Sequence, residues 1–227
     1  VYAVVSTFVD RYFAQDPKYG AYRSGITRMP AGTFVCPIQE SYWNYLIAIY
    51  KEIVTFPIKG VILLDGLFAR REFCFCETCR KEFAEIADLE REFVFDTLLS
   101  DASILSRWYE WRADKIAKAF STILKGLKES NPEIESLISV DIDPETEYTE
   151  GAKKHFGQDV KKLSDIADQL LISELMTLHT GISRFVRVTT LDTFFLYGPD
   201  SVIPTKTEAY MVFKISDWGK VRYEVID

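Results

Sequence analysis

Short β-branched and aromatic runs alternate along this chain with longer stretches whose apolar residues recur at helical spacing. Val1–Val9 (VYAVVSTFV), bounded by Asp10, predicts a strand. A loop with Pro17, Gly20, Gly25, Pro30 and Gly32 follows, long enough to suggest a functional connection. Ser41 then caps a predicted helix to about Thr55, with Tyr42, Tyr45, Leu46, Ile49 and Ile53 on one face. Pro57 and Gly60 punctuate the chain before the most strand-like run, Val61–Asp65. A second helix is expected from about Thr78 to Leu98. A longer one, capped by Asp101, runs to about Glu129 with Leu105, Trp108, Ile116, Phe120, Ile123 and Leu127 in register, and Asn131-Pro132 ends it. Its tryptophans read as core. Further strands are predicted at Leu137–Ile142, Leu170–Leu175, Val186–Leu191 and Tyr210–Ile215, with a short helix from Gly157 to Asp168 and a Gly/Pro loop from Gly198 to Pro204.

Six strands alternating with helices predict βα units and a parallel sheet: an α/β fold of the (β/α)8 TIM-barrel type in a single domain spanning residues 1–227. A full barrel takes roughly 250 residues, so the first strands are expected upstream of Val1. The chain opens on Val1 rather than Met and reads as processed or truncated. No signal-peptide pattern is present, and the expected location is cytoplasmic. No apolar run reaches membrane-spanning length. A net charge of −7 argues against nucleic acid, whose phosphates need a basic face. Aromatics at 14% supply a large core or, in a cleft, flat platforms for sugars.

The chemistry concentrates around four cysteines. Cys74, Cys76 and Cys79 lie within six residues, and Cys36 sits upstream in Val35-Cys36-Pro37. Four thiols suit a tetrahedral Zn²⁺ site, with Cys76 and Cys79 as the Cys-x-x-Cys chelate and Cys36 arriving from another βα loop. Such a site is closed, so its metal would be structural. Two disulfides, a redox pair or unbound thiols are the alternatives.

Asp65 ends its strand nine residues before the first of these three cysteines, where a (β/α) enzyme places catalytic groups. The other strand-end carboxylates are Asp10, Asp141, Asp143, Glu174 and Asp192. His179 could line the same site, and His155 reads as surface. No His-Glu-x-x-His, Gly-x-Ser-x-Gly, Walker or dinucleotide-binding motif occurs, which leaves metalloprotease, esterase and nucleotide chemistry without support.

Over residues 1–95, the combination of Cys36-Pro37, Ser41-Tyr42-Trp43, Gly60–Asp65 and Cys74-Phe75-Cys76-Glu77-Thr78-Cys79-Arg80 resembles the zinc-containing family 42 β-galactosidases and related TIM-barrel glycoside hydrolases. The resemblance implies a zinc ion shared by the four cysteines and a general acid at the Asp65 position. The family carries Asn-Glu where this chain has Leu64-Asp65. Glycoside hydrolysis needs a second carboxylate, for which Glu174 is the first choice. Asp10, Asp143, Asp192 and His179 are candidate substrate-binding groups. The expected partner is a carbohydrate. The alternative is a non-catalytic barrel relative that binds carbohydrate or a protein.

Overall fold

The computed structural model describes residues 1–25, 30–142, 148–174, 184–188, 210–217 and 220–226. Its first half follows the βα pattern. Strand β1 (Tyr2–Ser6) leads through a hairpin, β2 (Gly20–Tyr22) and β3 (Pro30–Val35), into helix α1 (Glu40–Ile53). Strand β4 (Gly60–Leu64) leads through α2 (Glu77–Ala87), α3 (Phe95–Leu99) and the long α4 (Ala102–Ser130) to β5 (Glu135–Ile142). Helices α5 (Tyr148–Gly151) and α6 (Val160–Ser164), separated by a π-turn, then connect to β6 (Gln169–Glu174). The expected loop before α1 therefore contains a hairpin, and the expected helix over 78–98 is two helices.

Strands β1, β4, β5 and β6 are parallel neighbours in chain order, with Ala3 opposite Val61, Leu63 opposite Ile138, and Ile138 opposite Leu170. Side chains alternate across a strand. Val61, Leu63, Ile138, Val140 and Leu170 therefore share one face and are buried there with Leu46, Tyr50, Phe120, Ile123 and Leu127 of α1 and α4. The opposite face carries Val4, Ser6, Leu137, Ser139 and Asp141. Val4 remains 58% exposed on it.

The expectation of a wholly parallel sheet fails in the second half. Strand β7 (Arg184–Val188) runs antiparallel to β6, and β9 (Lys220–Ile226) runs antiparallel to β8 (Tyr210–Asp217). Connection length explains this. Nine residues separate β6 from β7 and two separate β8 from β9, whereas a parallel crossover needs a dozen or more. The sheet order is β1-β4-β5-β6-β7-β8-β9, with β1 and β9 as edges among the described residues; the described strands do not close a barrel. Strand β9 was legible as the alternation Val221, Tyr223, Val225, yet the sequence reading ended its last strand at Ile215.

Helix α4 sets the architecture at the C-terminal end of the sheet. Asp101 caps it by accepting from Ser103 N (2.8 Å) and Ile104 N (3.2 Å). Its 29 residues span about 43 Å, well beyond any strand here. The C-terminal half covers the sheet. The N-terminal half overhangs it and carries Trp108 and Trp111, stacked at 5.0 Å. Trp108 is fully buried, 5.0 Å from the Phe75 ring and 4.9 Å from Phe83. The tryptophans are thus core, and the core they form lies beneath the cysteine loop.

Candidate functional site

Parallel βα topology puts the connections after β1, β4 and β5 at one end of the sheet. Cys36 follows the hairpin after β1, and Cys74, Cys76 and Cys79 follow β4. The fold brings all four together, buried, with their sulfurs within 4.8 Å of one another. Cys36 Sγ is 3.4 Å from Cys79 Sγ and 3.6 Å from Cys76 Sγ. A tetrahedral ion with metal–sulfur bonds of about 2.3 Å separates its sulfurs by about 3.8 Å, so the cluster has the size to hold one. The four cysteines are free thiols, not disulfides.

The backbone is arranged to stabilise thiolates. Tyr22 N donates to Cys74 Sγ (3.3 Å), as does Cys76 N (3.4 Å), and Cys79 N donates to Cys76 Sγ (3.5 Å). Cys76 is the N-cap of α2, where the helix dipole favours negative charge. Burial pushes Cys36 and Cys79 well up from the usual thiol value, whereas hydrogen bonds from Cys36, Cys74 and Cys79 pull Cys76 down. Four buried sulfurs can share one negative charge cheaply, but four thiolates need a cation among them. These residues can hold a metal ion.

Asp65 stands one residue beyond β4 with φ of 52°, a left-handed conformation that Asp tolerates better than most residues. The hydroxyl of Ser6, at the end of adjacent β1, lies 2.7 Å from Asp65 Oδ2, and the Asp65 carbonyl accepts from Phe8 N (3.2 Å). Ser6 Oγ is also 3.1 Å from the Val9 carbonyl, so its single proton has two acceptors in reach. Behind Asp65, Gly66 passes so close to α4 that a Cβ there would lie 1.9 Å from the Phe120 ring. The carboxylate is half-buried and has no ion pair among the described residues.

Gln158 secures the ends of β4 and β5. Its amide, fully buried, donates to the carbonyls of Gly66 (3.2 Å) and Ser139 (3.0 Å) and accepts from Asp141 N (2.8 Å). Arg112 does the same for two loops. Wholly buried on α4, it donates to the carbonyls of Arg70 (2.7 Å), Lys154 (2.9 Å), His155 (2.9 Å) and Arg71 (3.4 Å), with the Phe68 ring 4.6 Å from its Cζ. Burial pulls its pKa down to about 9, and it stays charged at neutral pH. Ser6, Gln158 and Arg112 escaped the sequence reading, because an isolated polar residue carries no signal until the fold buries it.

The remaining candidates are distributed differently. Asp10 Oδ1 accepts from Tyr12 N (2.9 Å) and Phe13 N (3.0 Å), and Oδ2 from Tyr42 OH (3.4 Å). Burial, then the Asp10 charge, holds the Tyr42 phenol well above its ordinary value. Glu174 is the last residue of β6, opposite Ile142 on β5. Asp143, His179 and Asp192 lie outside the described residues. His155 is half-buried, and its carbonyl is one of Arg112's acceptors.

No helix among the described residues is long and apolar enough to cross a membrane. No protein-family model and no curated protein matches the chain. Among solved structures it is similar to the PgaB (BpsB) glycoside hydrolase domain from Bordetella bronchiseptica, with a TM-score of 0.59 and 12% identity over 76% of this chain and 50% of that one. The chain thus spans half the length of that structure. At this identity the likeness is one of fold: a mixed α/β architecture with a parallel sheet and helices, of the kind found in a glycoside hydrolase domain.

Proposed function

We propose that the chain is the acid-bearing part of a glycoside hydrolase, stapled by a structural zinc ion. The observation that carries this reading is the placement of Asp65. It ends a parallel strand in a left-handed conformation, is hydrogen-bonded to Ser6 of the neighbouring strand, and opens the loop that brings three of the four clustered thiols. The likeness of the cysteine loops to those of family 42 β-galactosidases, and the glycoside hydrolase fold of the solved neighbour, support it.

In this reading Asp65 protonates the departing glycosidic oxygen. Before transfer, the acid form donates to Ser6 Oγ and Ser6 donates to the Val9 carbonyl, which satisfies every partner with the protons available. Glu174 is the second carboxylate. Two strand spacings of about 4.8 Å separate β4 from β6, and the register sets Glu174 two residues, about 6.6 Å, further along its strand than Asp65, so their backbones are about 12 Å apart. A separation of that order favours an inverting pair, with water between the groups, over the roughly 5–5.5 Å of a retaining pair. Asp10, Asp143, Asp192 and His179 are the proposed substrate-binding groups. Zinc, held by Cys36, Cys74, Cys76 and Cys79, would join the loops after β1 and β4. With four sulfur ligands it offers no open coordination position.

The test is Asp65→Asn. Turnover of glycosides with poor leaving groups should vanish, while activated aryl glycosides, which need no acid, retain much of their rate. Equal loss on both substrate types would remove Asp65 as the acid. Carbohydrate binding without turnover by the unaltered protein would favour the non-catalytic relative.

A further inference from the structure

A pocket of about 610 Å³ opens among the connections that follow β1, β4 and β5. Its charged lining is Arg23, Arg70, Arg71, Glu72 and Asp96, with His155 beside them. In a chain of net charge −7, three guanidinium groups here outnumber two carboxylates. Arg23 Nε is paired with Glu72 at 3.5 Å. The guanidinium groups of Arg70 and Arg71 have no carboxylate partner among the described residues. Arg71 instead lies over the Phe95 ring at 5.9 Å. Arginine presents a planar fork of donors that matches a carboxylate or sulfate in two bonds.

The pocket is held in shape. Ser24 N donates to the Glu72 carbonyl (3.1 Å), and Ser24 Oγ accepts from Phe95 N (2.7 Å), so the segment after β2, the β4 loop and α3 are joined. From behind, Arg112 fixes the carbonyls of Arg70, Arg71, Lys154 and His155. This backbone anchoring leaves the Arg70 and Arg71 side chains directed by their loop rather than by ion pairs. Val94 and Leu99 add an apolar wall, with Leu99 half exposed.

We propose that this pocket is a subsite for the negatively charged substituent of an acidic saccharide, a carboxylate or sulfate bound by Arg70 and Arg71. The anion-binding part stands on the pocket alone, and the saccharide part rests on the glycoside hydrolase reading.

Binding should be measured by calorimetry on the whole chain with four probes. These are a uronic acid hexasaccharide, a sulfated hexasaccharide, a neutral hexasaccharide and inorganic sulfate. At least one acidic probe should bind more than tenfold tighter than the neutral one, and the preference should shrink as salt rises, because exposed charges are screened. Arg70→Gln and Arg71→Gln should each weaken that probe about tenfold or more, as loss of a charge-assisted hydrogen bond implies, with an unchanged melting temperature. Equal affinity for acidic and neutral probes, or no loss when Arg70→Gln and Arg71→Gln are combined, would overturn the proposal. So would tighter binding of inorganic sulfate than of either acidic saccharide. Acidic saccharide that binds at Arg70 and Arg71 but is never cleaved would sink the hydrolase reading and leave the subsite standing. Cleavage confined to neutral glycosides would do the reverse.

Discussion

Replacing Arg112 is the sharpest test of what holds the candidate site together. The side chain is fully buried and has no carboxylate partner among the described residues; its charge rests on backbone carbonyls. Three of the four bonds are 2.9 Å or shorter, and the 3.4 Å bond to Arg71 counts for little. Each bond to a charged group contributes about 1.5–3 kcal/mol, and desolvating the guanidinium takes back several kcal/mol. The intact arrangement is therefore nearly neutral in itself. Truncation is not neutral. Arg112→Ala leaves the carbonyls of Arg70, Lys154 and His155 without their guanidinium donor and opens a cavity beside Phe68 and Trp108, for an expected loss of about 3–5 kcal/mol. Arg112→Met refills most of the volume but none of the hydrogen bonds, so about 2–4 kcal/mol should still be lost. Lysine places one point charge where a fork is needed and should fall between methionine and the unaltered protein. Urea denaturation read by tryptophan fluorescence measures the series, with a constant m-value as the check that compactness is unchanged. Full stability in Arg112→Met would mean that packing alone anchors these loops. A loss under about 1 kcal/mol in Arg112→Ala would refute the anchoring role altogether.

Other outcomes follow from the same geometry. Purified without chelator, the protein should carry one zinc per chain; chelation or Cys36→Ser should lower the melting temperature and expose reactive thiols, and a metal-free protein of unchanged stability would count against the site. Gly66→Ala should cost about 1–3 kcal/mol through collision with the buried Phe120 ring, and Phe120→Leu in the same chain should recover part of it; an additive double variant would contradict the contact. The hydrogen bond from Lys153, aided by Lys162 at 3.2 Å, lowers the folded pKa of Glu110. Its contribution is therefore present above the unfolded value of about 4.3 and is lost as pH falls through the lower folded value. Glu110→Gln should be less stable than the parent at pH 7 and indistinguishable from it at the acid end of a melting-temperature profile; a constant gap across that range would refute the pairing.

The sequence alone determined the local elements and the inventory of reactive groups. Periodicity located all six predicted strands, because Val, Ile and Leu in short bounded runs leave few other conformations. It also found α1 and α4 to within about two residues. Four thiols at such close spacing announced a metal-sized cluster, since Cys76 and Cys79 at a helix start can hardly avoid facing one another. Strand direction was decided by what lies between strands. The nine residues between β6 and β7 are too few for a helical crossover. The tertiary structure alone decided how the site is held. Ser6 and Asp65 are 59 residues apart and meet only because β1 and β4 are adjacent strands. Gln158 and Arg112 look like ordinary surface residues in the sequence. They become anchors because α4 outreaches the sheet and the β5 connection folds back over it, burying polar groups that must then find partners. Hydrophobic pattern is a local property of the chain, whereas hydrogen-bond satisfaction in the interior depends on which distant segments the fold brings together.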